Sequence, residues 1–341
     1  NRPDTDGDPR ANAPLREAIG RRAPGRAAPS GAPVVHLNDR TDLYLLDMEA
    51  LSGATPAACG VGLARKAGAD LALRWMFAGG IDSDWLCSTD ADATLPANYF
   101  AQLESAPPGA AAVLFPFRHV AGGDAGCDAA TALYELRLHH YVLGLEYAAS
   151  PYAFHTLGSC LAIRARAYAQ VRGFPRRAGG EDFYVLNKLA KVGEIAQLQG
   201  RCIELQSRQS ARVPFGTGPA VRSIAEAARP DEAALFYHPA CFVALRAVHD
   251  SLPELAAAPG RDIAQLLCER GLDTSLARSA VQSLNALGVA AAVQHCRQHG
   301  KSAAQFQRHF HQWFDGFRTL RFIHALRNDG CIMRMAELQR G

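Results

Sequence analysis

Trp85-Leu86-Cys87-Ser88-Thr89-Asp90-Ala91-Asp92-Ala93-Thr94-Leu95-Pro96 is a short, largely apolar run that closes on two carboxylates one residue apart. Such a run, bounded by polar residues and a proline, predicts a buried strand over Trp85 to Thr89. In extended chain, positions i and i+2 project to one side, so Asp90 and Asp92 are expected to face one ligand at the strand's C-terminal edge. Open α/β sheets bind ligands at that edge. Hard oxygen donors suit Mg or Mn, which take one or two carboxylates and fill their remaining positions with phosphate oxygens and water. The triplet also reads as one Asp capping a turn and the other solvated.

Outward from this stretch, apolar runs alternate with helix-length segments. Strands are predicted at Leu43 to Met48, Ala111 to Phe117 and Gly158 to Ile163, and a helix over roughly Gly60 to Phe77. Shorter helices are expected from Arg166 to Val171, stopped by Gly173, and from Asp182 to Val192, stopped by Gly193. Leu133, Leu136, His140, Leu143 and Tyr147 recur at steps of three and four, which predicts a helix lying with that face on the sheet. The alternation implies an α/β fold with a largely parallel sheet. After Gly218 strand-like runs give way to helical periodicity. The expected division is therefore a sheet domain over 1–221 and a helical C-terminal extension over 222–341. Residues 1 to 33, rich in Pro, Gly, Asp, Arg and Ala, read as loop, with only the Ala13-Pro14-Leu15-Arg16-Glu17-Ala18-Ile19 piece able to wind into a helix.

Bulk properties narrow the function. The 341 residues are 48% hydrophobic and 20% charged, with a formal net charge of +3, values typical of a folded globular protein. So small a net charge offers no broad footprint for a phosphate backbone, which argues against nucleic acid as a partner. Nine scattered cysteines without a Cys-x-x-Cys pair read as reduced thiols of a cytoplasmic protein. No run approaches the roughly 20 apolar residues of a membrane span, while peripheral contact with the inner membrane stays open. Asn1 is preceded by neither an initiator Met nor a signal-type stretch, and it reads as a cut within a longer protein.

Three further constellations carry chemistry. Gly179-Gly180-Glu181-Asp182-Phe183-Tyr184 sets two acids at a helix start, where the N-terminus favours ionised carboxylates and so a general base; plain N-capping is the other reading. Gly60-Val61-Gly62-Leu63-Ala64-Arg65-Lys66 opens a helix on glycine with two cations in its second turn, a phosphate cradle or a solvated surface. The loop from Arg208 to Gly218 carries Arg212, suited to clamp a diphosphate or simply exposed.

In order and spacing, the Ala-Arg-Lys-x-Gly helix, the strand ending in Asp90-Ala91-Asp92, the strand after Gly158, Gly173-Phe174 and Glu181-Asp182 resemble the family 2 glycosyltransferases of the GT-A fold, in a bacterial subgroup. The resemblance covers residues 40 to 195. It implies a mixed, mainly parallel sheet flanked by helices and an inverting transfer of a sugar from a nucleotide-sugar donor to an acceptor that is a glycan, a lipid or a small metabolite. By similarity Asp92 would coordinate a divalent Mn or Mg ion. Asp90 would contact the ribose or a metal-bound water, and Arg65 and Arg212 would hold the donor. Asp182 would be the catalytic base, with Glu181 as its fallback. Family members begin with a donor-binding strand that does not precede Asn1 here, so the 341-residue chain is expected to bind donor poorly or not at all. A nucleotidyltransferase, and a catalytically silent sugar-nucleotide binding or scaffold protein, are the alternative readings.

His139, His140, His155, His238, His309 and His311 are further residues able to complete a metal shell. His140 lies on an apolar stripe and reads as a packed core histidine with one hydrogen-bond partner. Phe310, Trp313, Phe314, Phe317 and Phe322, interleaved with Arg318, Arg321 and Arg327, read as the core of a helical cap or as a membrane-facing surface.

Overall fold

The structure, a computed structural model, describes residues 12–22, 34–39, 41–48, 51, 55–56, 58–208, 216–227, 236–258 and 260–333. In chain order the elements are helix α1 (Ala13–Gly20), strands β1 (Val35–Asn38) and β2 (Thr41–Leu43), helix α2 (Gly60–Phe77), and strands β3 (Trp85–Ser88), β4 (Ala93–Thr94), β5 (Ala110–Leu114) and β6 (Phe117–Val120). Helix α3 (Ala125–Tyr147), strand β7 (Leu161–Arg164), helices α4 (Ala165–Gln170) and α5 (Glu181–Leu189), and strands β8 (Glu194–Gln197) and β9 (Ile203–Gln206) follow. Beyond Pro239 the described chain is mainly helical, from α6 (Pro239–Asp250) to a last helix at Gly316–Asn328.

The protein is α/β with mixed sheets. It divides into two compact units, one within Asn1–Phe117, Thr156–Leu205 and Ser210–Pro219, the other within Arg118–His155, Gln206–Gln209 and Ala220–Gly341. This differs from a single division at Val221, because residues 118–155 belong with the helical part.

The main sheet of the first unit has the order β3-β7-β5-β8. Its strands β5 and β7 are buried along nearly their whole length, with Ala112, Val113, Leu161, Ala162 and Ile163 at zero exposure, as in sheets covered on both faces. The expectation of a largely parallel sheet is not met. β7 runs antiparallel to both β3 and β5, and the β5–β8 pair is parallel. Alternating strands and helices in a sequence do not reveal that one strand is inserted in reverse between two others.

Helix α2 has the predicted bounds, and α4 and α5 lie where glycine-stopped helices were expected. The strand predicted from Leu43 to Met48 is instead β2, which ends at Leu43. There Tyr44 turns its ring edge-on to Trp75, centroids 5.2 Å apart, and Asp47 pairs with Arg16 at 2.7 Å. The strand predicted over Ala111 to Phe117 is divided at Pro116, which has no N–H to give a ladder; its carbonyl accepts from the Ile203 N–H at 2.8 Å.

Helix α3 exists, but its buried face is not the one its spacing suggested. Leu143 and Tyr147 are 63% and 52% exposed, whereas Tyr134, Val142 and Leu145 are buried. The helix is apolar on more than one side, so steps of three and four fit two faces. Gly144 decides between them, because a Cβ there would lie 2.4 Å from the ring of Phe242 on α6. Helix α3 therefore packs on α6 within the helical unit.

That unit's core joins Leu145 and Ala148 to Leu245, Val248, Phe310, Phe314, Phe322 and Ile323. The C-terminal aromatics are thus mostly interior, with Phe317 partly exposed. Asp and Ser side chains cap the helix starts, for example Asp273 on the Ser275 and Leu276 N–H groups, each such cap contributing about 1 kcal/mol.

Candidate functional site

The two acids after β3 sit on a turn. The Ala93 N–H donates to the Asp90 carbonyl at 3.1 Å, so a reversal, and not the pitch of an extended strand, sets the directions of Asp90 and Asp92. Both are exposed. Asp90 Oδ1 accepts from Arg65 Nη2 at 2.5 Å.

Arg65 reaches this turn from the second turn of α2, and its side chain is only 10% exposed. Its Nε donates to Glu181 Oε1 at 2.9 Å. Its Nη1 donates to Ser88 Oγ at 2.6 Å and to the Gly158 carbonyl at 2.9 Å. Burial pulls the guanidinium pKa down, but Asp90 and Glu181 outweigh it and the net shift is upward. The residue is a fixed cation. Local sequence explains why α2 comes so close: a Cβ at Gly62 would lie 2.4 Å from the Pro175 carbonyl oxygen and 2.7 Å from the Arg177 nitrogen. Glycine at the start of α2 serves backbone packing against the segment leading into α5.

Gly158 and Ser159 form a turn before β7, closed by the Cys160 N–H on the Leu157 carbonyl at 3.0 Å. Being outside the strand, Gly158 keeps its polar atoms for side chains. Its N–H donates to Asp182 Oδ2 at 2.9 Å. Asp182 Oδ1 accepts from the Phe183 N–H at 2.7 Å. Gly180, which precedes α5, has φ of +68°, a left-handed conformation that favours glycine. The chain thereby enters α5 with Glu181 turned inward, 5% exposed, onto Arg65.

Asp182 is raised to about 7, first by burial and then by the Glu181 carboxylate, against the lowering effects of the Phe183 N–H, Arg65 and the Gly158 N–H. Two adjacent acids thus have different surroundings. Glu181 is tied to Arg65, whereas Asp182 accepts from two backbone N–H groups and is pushed upward by burial and by the Glu181 carboxylate.

Of the residues singled out by sequence, Arg65, Asp90, Glu181 and Asp182 converge in the first unit, and Asp92 shares the Asp90 turn. Arg212 lies outside the described residues. Ser88 and Gly158 are site residues that sequence reading did not assign; the signal available was a glycine in the turn that leads into the buried strand Leu161–Arg164. Beside Arg65 and Ser88 opens a cavity of about 1040 Å³, walled on its apolar side by Met76, Trp85, Phe100 and Leu103.

The histidines lie elsewhere. In the helical unit His119 Nδ1 and Glu135 Oε2 are 2.5 Å apart, and the His139 and His155 rings meet edge-on at 4.8 Å. Burial, then His139, pushes His155 down to about 4. His140 is packed between Phe236 and Phe242, as a core histidine should be, but its buried Nδ1 has no hydrogen-bond partner. Burial lowers its pKa. His238 caps α6 by accepting from the Ala240 N–H at 3.1 Å. His311 packs against His249 and is pushed down to about 4 by burial. Among the described residues no group of three or more His, Cys, Asp or Glu side chains is gathered to hold a metal ion. Among them, too, no helix is long and apolar enough to cross a membrane.

No protein-family model, curated protein or solved structure matches the chain.

Proposed function

We propose that this chain carries the catalytic site of an inverting glycosyltransferase that uses a nucleotide-sugar donor and a divalent cation. The observation that carries the reading is the placement of the Asp182 carboxyl at the start of α5, where it accepts from the Gly158 and Phe183 N–H groups and is pushed upward by burial, while Glu181 beside it is tied to Arg65. A general base works best when its pKa lies near the working pH. In this reading Asp182 takes the proton from an acceptor hydroxyl as that oxygen attacks the anomeric carbon, and Glu181 keeps Arg65 in place.

Asp90 and Asp92 would hold Mn or Mg. Both are hard oxygen donors, both are exposed on one turn, and two carboxylates are a sufficient protein contribution where phosphate oxygens complete the shell. When bound, the cation supplies charge neutralisation for the departing diphosphate. The cavity beside Ser88 supports a donor-side site, since its volume is that of a pocket for a sizeable small molecule. A glycan, lipid or small metabolite remains the acceptor class.

The test is Mn-dependent release of nucleoside diphosphate from a panel of nucleotide sugars, with Asp92→Ala as control. Release that depends on both metal and Asp92 supports the transferase. The absence of release from every donor refutes it and favours a silent binding protein.

A further inference from the structure

Gly158 is bonded through both of its backbone polar atoms. Its carbonyl accepts from Arg65 Nη1 at 2.9 Å and from Ser88 Oγ at 2.8 Å, while its N–H donates to Asp182 Oδ2 at 2.9 Å. The Ser88 hydroxyl in turn accepts from the same Nη1 at 2.6 Å. Guanidinium, hydroxyl and carbonyl thereby close a ring of three hydrogen bonds on one side of the residue that orients Asp182 on the other. A Cβ at this position would press on the guanidinium, 2.7 Å from Arg65 Nη2 and 2.9 Å from its Cζ.

The other edge of Arg65 grips Glu181, the neighbour of Asp182. Its Nε, Nη1 and Nη2 together make four donations, to Glu181, Ser88, Gly158 and Asp90. A guanidinium has five N–H donors, so this one is nearly saturated by protein. Clamping a diphosphate calls for an open fork of two parallel N–H groups. Arg65 has the bonding of a scaffold cation.

We propose that Arg65 and Ser88 are positioning residues that fix the Asp182 carboxylate through Gly158 and Glu181, and that Arg65 does not bind the donor. The inference rests on reading Asp182 as the base and assigns two residues to its support. The charged groups acting on Asp182 are Glu181 from its own helix and Arg65 from α2, with N–H donors from Phe183 and Gly158. Without Arg65, burial and Glu181 are left to favour the protonated acid. Without Ser88, the Gly158 carbonyl loses one of two donors and the N–H facing Asp182 is less well aimed.

The experiment is a carbon-13 NMR titration of the Asp182 carboxyl in the whole protein, assigned by its disappearance in Asp182→Asn, for wild type, Arg65→Gln, Arg65→Lys and Ser88→Ala. Affinity for nucleoside diphosphates with Mn is measured alongside. The midpoint is expected to move to higher pH in Arg65→Gln, by less in Ser88→Ala, and to return toward wild type in Arg65→Lys, with diphosphate affinity changed by less than about tenfold throughout. A midpoint that stays at the wild-type value in both Arg65→Gln and Ser88→Ala overturns the positioning role. A loss of diphosphate affinity of about tenfold or more in Arg65→Gln overturns its exclusion from the donor. Ser88→Ala reads the same ring of bonds should Arg65→Gln fail to fold. Because the titration needs no turnover, it separates this inference from the reading of Asp182 as base, which an active Asp182→Asn would sink by itself.

Discussion

The Gly158 N–H and Asp182 Oδ2 lie 2.9 Å apart, although 24 residues separate them in the chain. One residue of a turn before β7 therefore holds the carboxylate at the start of α5. The account of the site depends on that bond.

Substituting Gly158 tests how closely the turn is fitted. A Cβ would press on the guanidinium of Arg65, which four acceptors hold in place. Gly158→Ala is expected to cost about 1–3 kcal/mol of unfolding free energy, the usual range for overpacking. Urea denaturation of the two proteins measures it, and equal midpoints would mean that Arg65 yields freely.

A comparable loss, of about 1–3 kcal/mol or more, is expected for Gly62→Ala. There the obstruction is backbone, at Pro175 and Arg177, and backbone cannot swing aside as a side chain can. Thermal unfolding should show a lower transition temperature for this variant. An unchanged one would contradict the role given to glycine at the start of α2.

The Asp182 carboxyl makes stability depend on pH. Its folded value, about 7, lies above the ordinary 3.8, so the native state binds its proton more tightly than the unfolded chain does. The stability it contributes is complete below pH 3.8 and is lost as pH rises through about 7. Asp182→Asn removes this dependence. The variant should gain stability relative to wild type at pH 8 compared with pH 5, in paired denaturant titrations. A difference independent of pH would show that the carboxyl is not raised.

In the helical unit, Phe314 is fully buried while Phe317 is 40% exposed. Phe314→Ala should cost about 3–5 kcal/mol as a large-to-small core substitution. Phe317→Ala should stay within about 0.5 kcal/mol, as surface changes do. Equal costs would contradict the division of this cluster into core and surface.

Much of the first unit was legible in the sequence because local rules governed it. Helix α2 was bounded correctly by its opening glycine and its apolar content, and α4 by Gly173. The acids of the site were visible for a similar reason, each lying where an element begins or ends. What failed was non-local. The reversed insertion of β7 leaves no trace in the alternation of elements, and the buried face of α3 was settled by Phe242, about a hundred residues away. The turn at Asp90–Ala93 replaced an assumed extended pitch, so the two carboxylates share a loop and not a strand edge. The role of Ser88 has no local signature, because it depends on Arg65 and Gly158 arriving from two other elements.

Turnover by Asp182→Asn tests the central claim most directly. With a donor and metal identified on wild type, the variant should keep nucleotide-sugar binding and lose transfer to the acceptor by about 10²–10⁴-fold, the range for removing a general base. Transfer at the wild-type rate, with donor binding intact, would contradict the assignment of Asp182 as the base and with it the function proposed for this site.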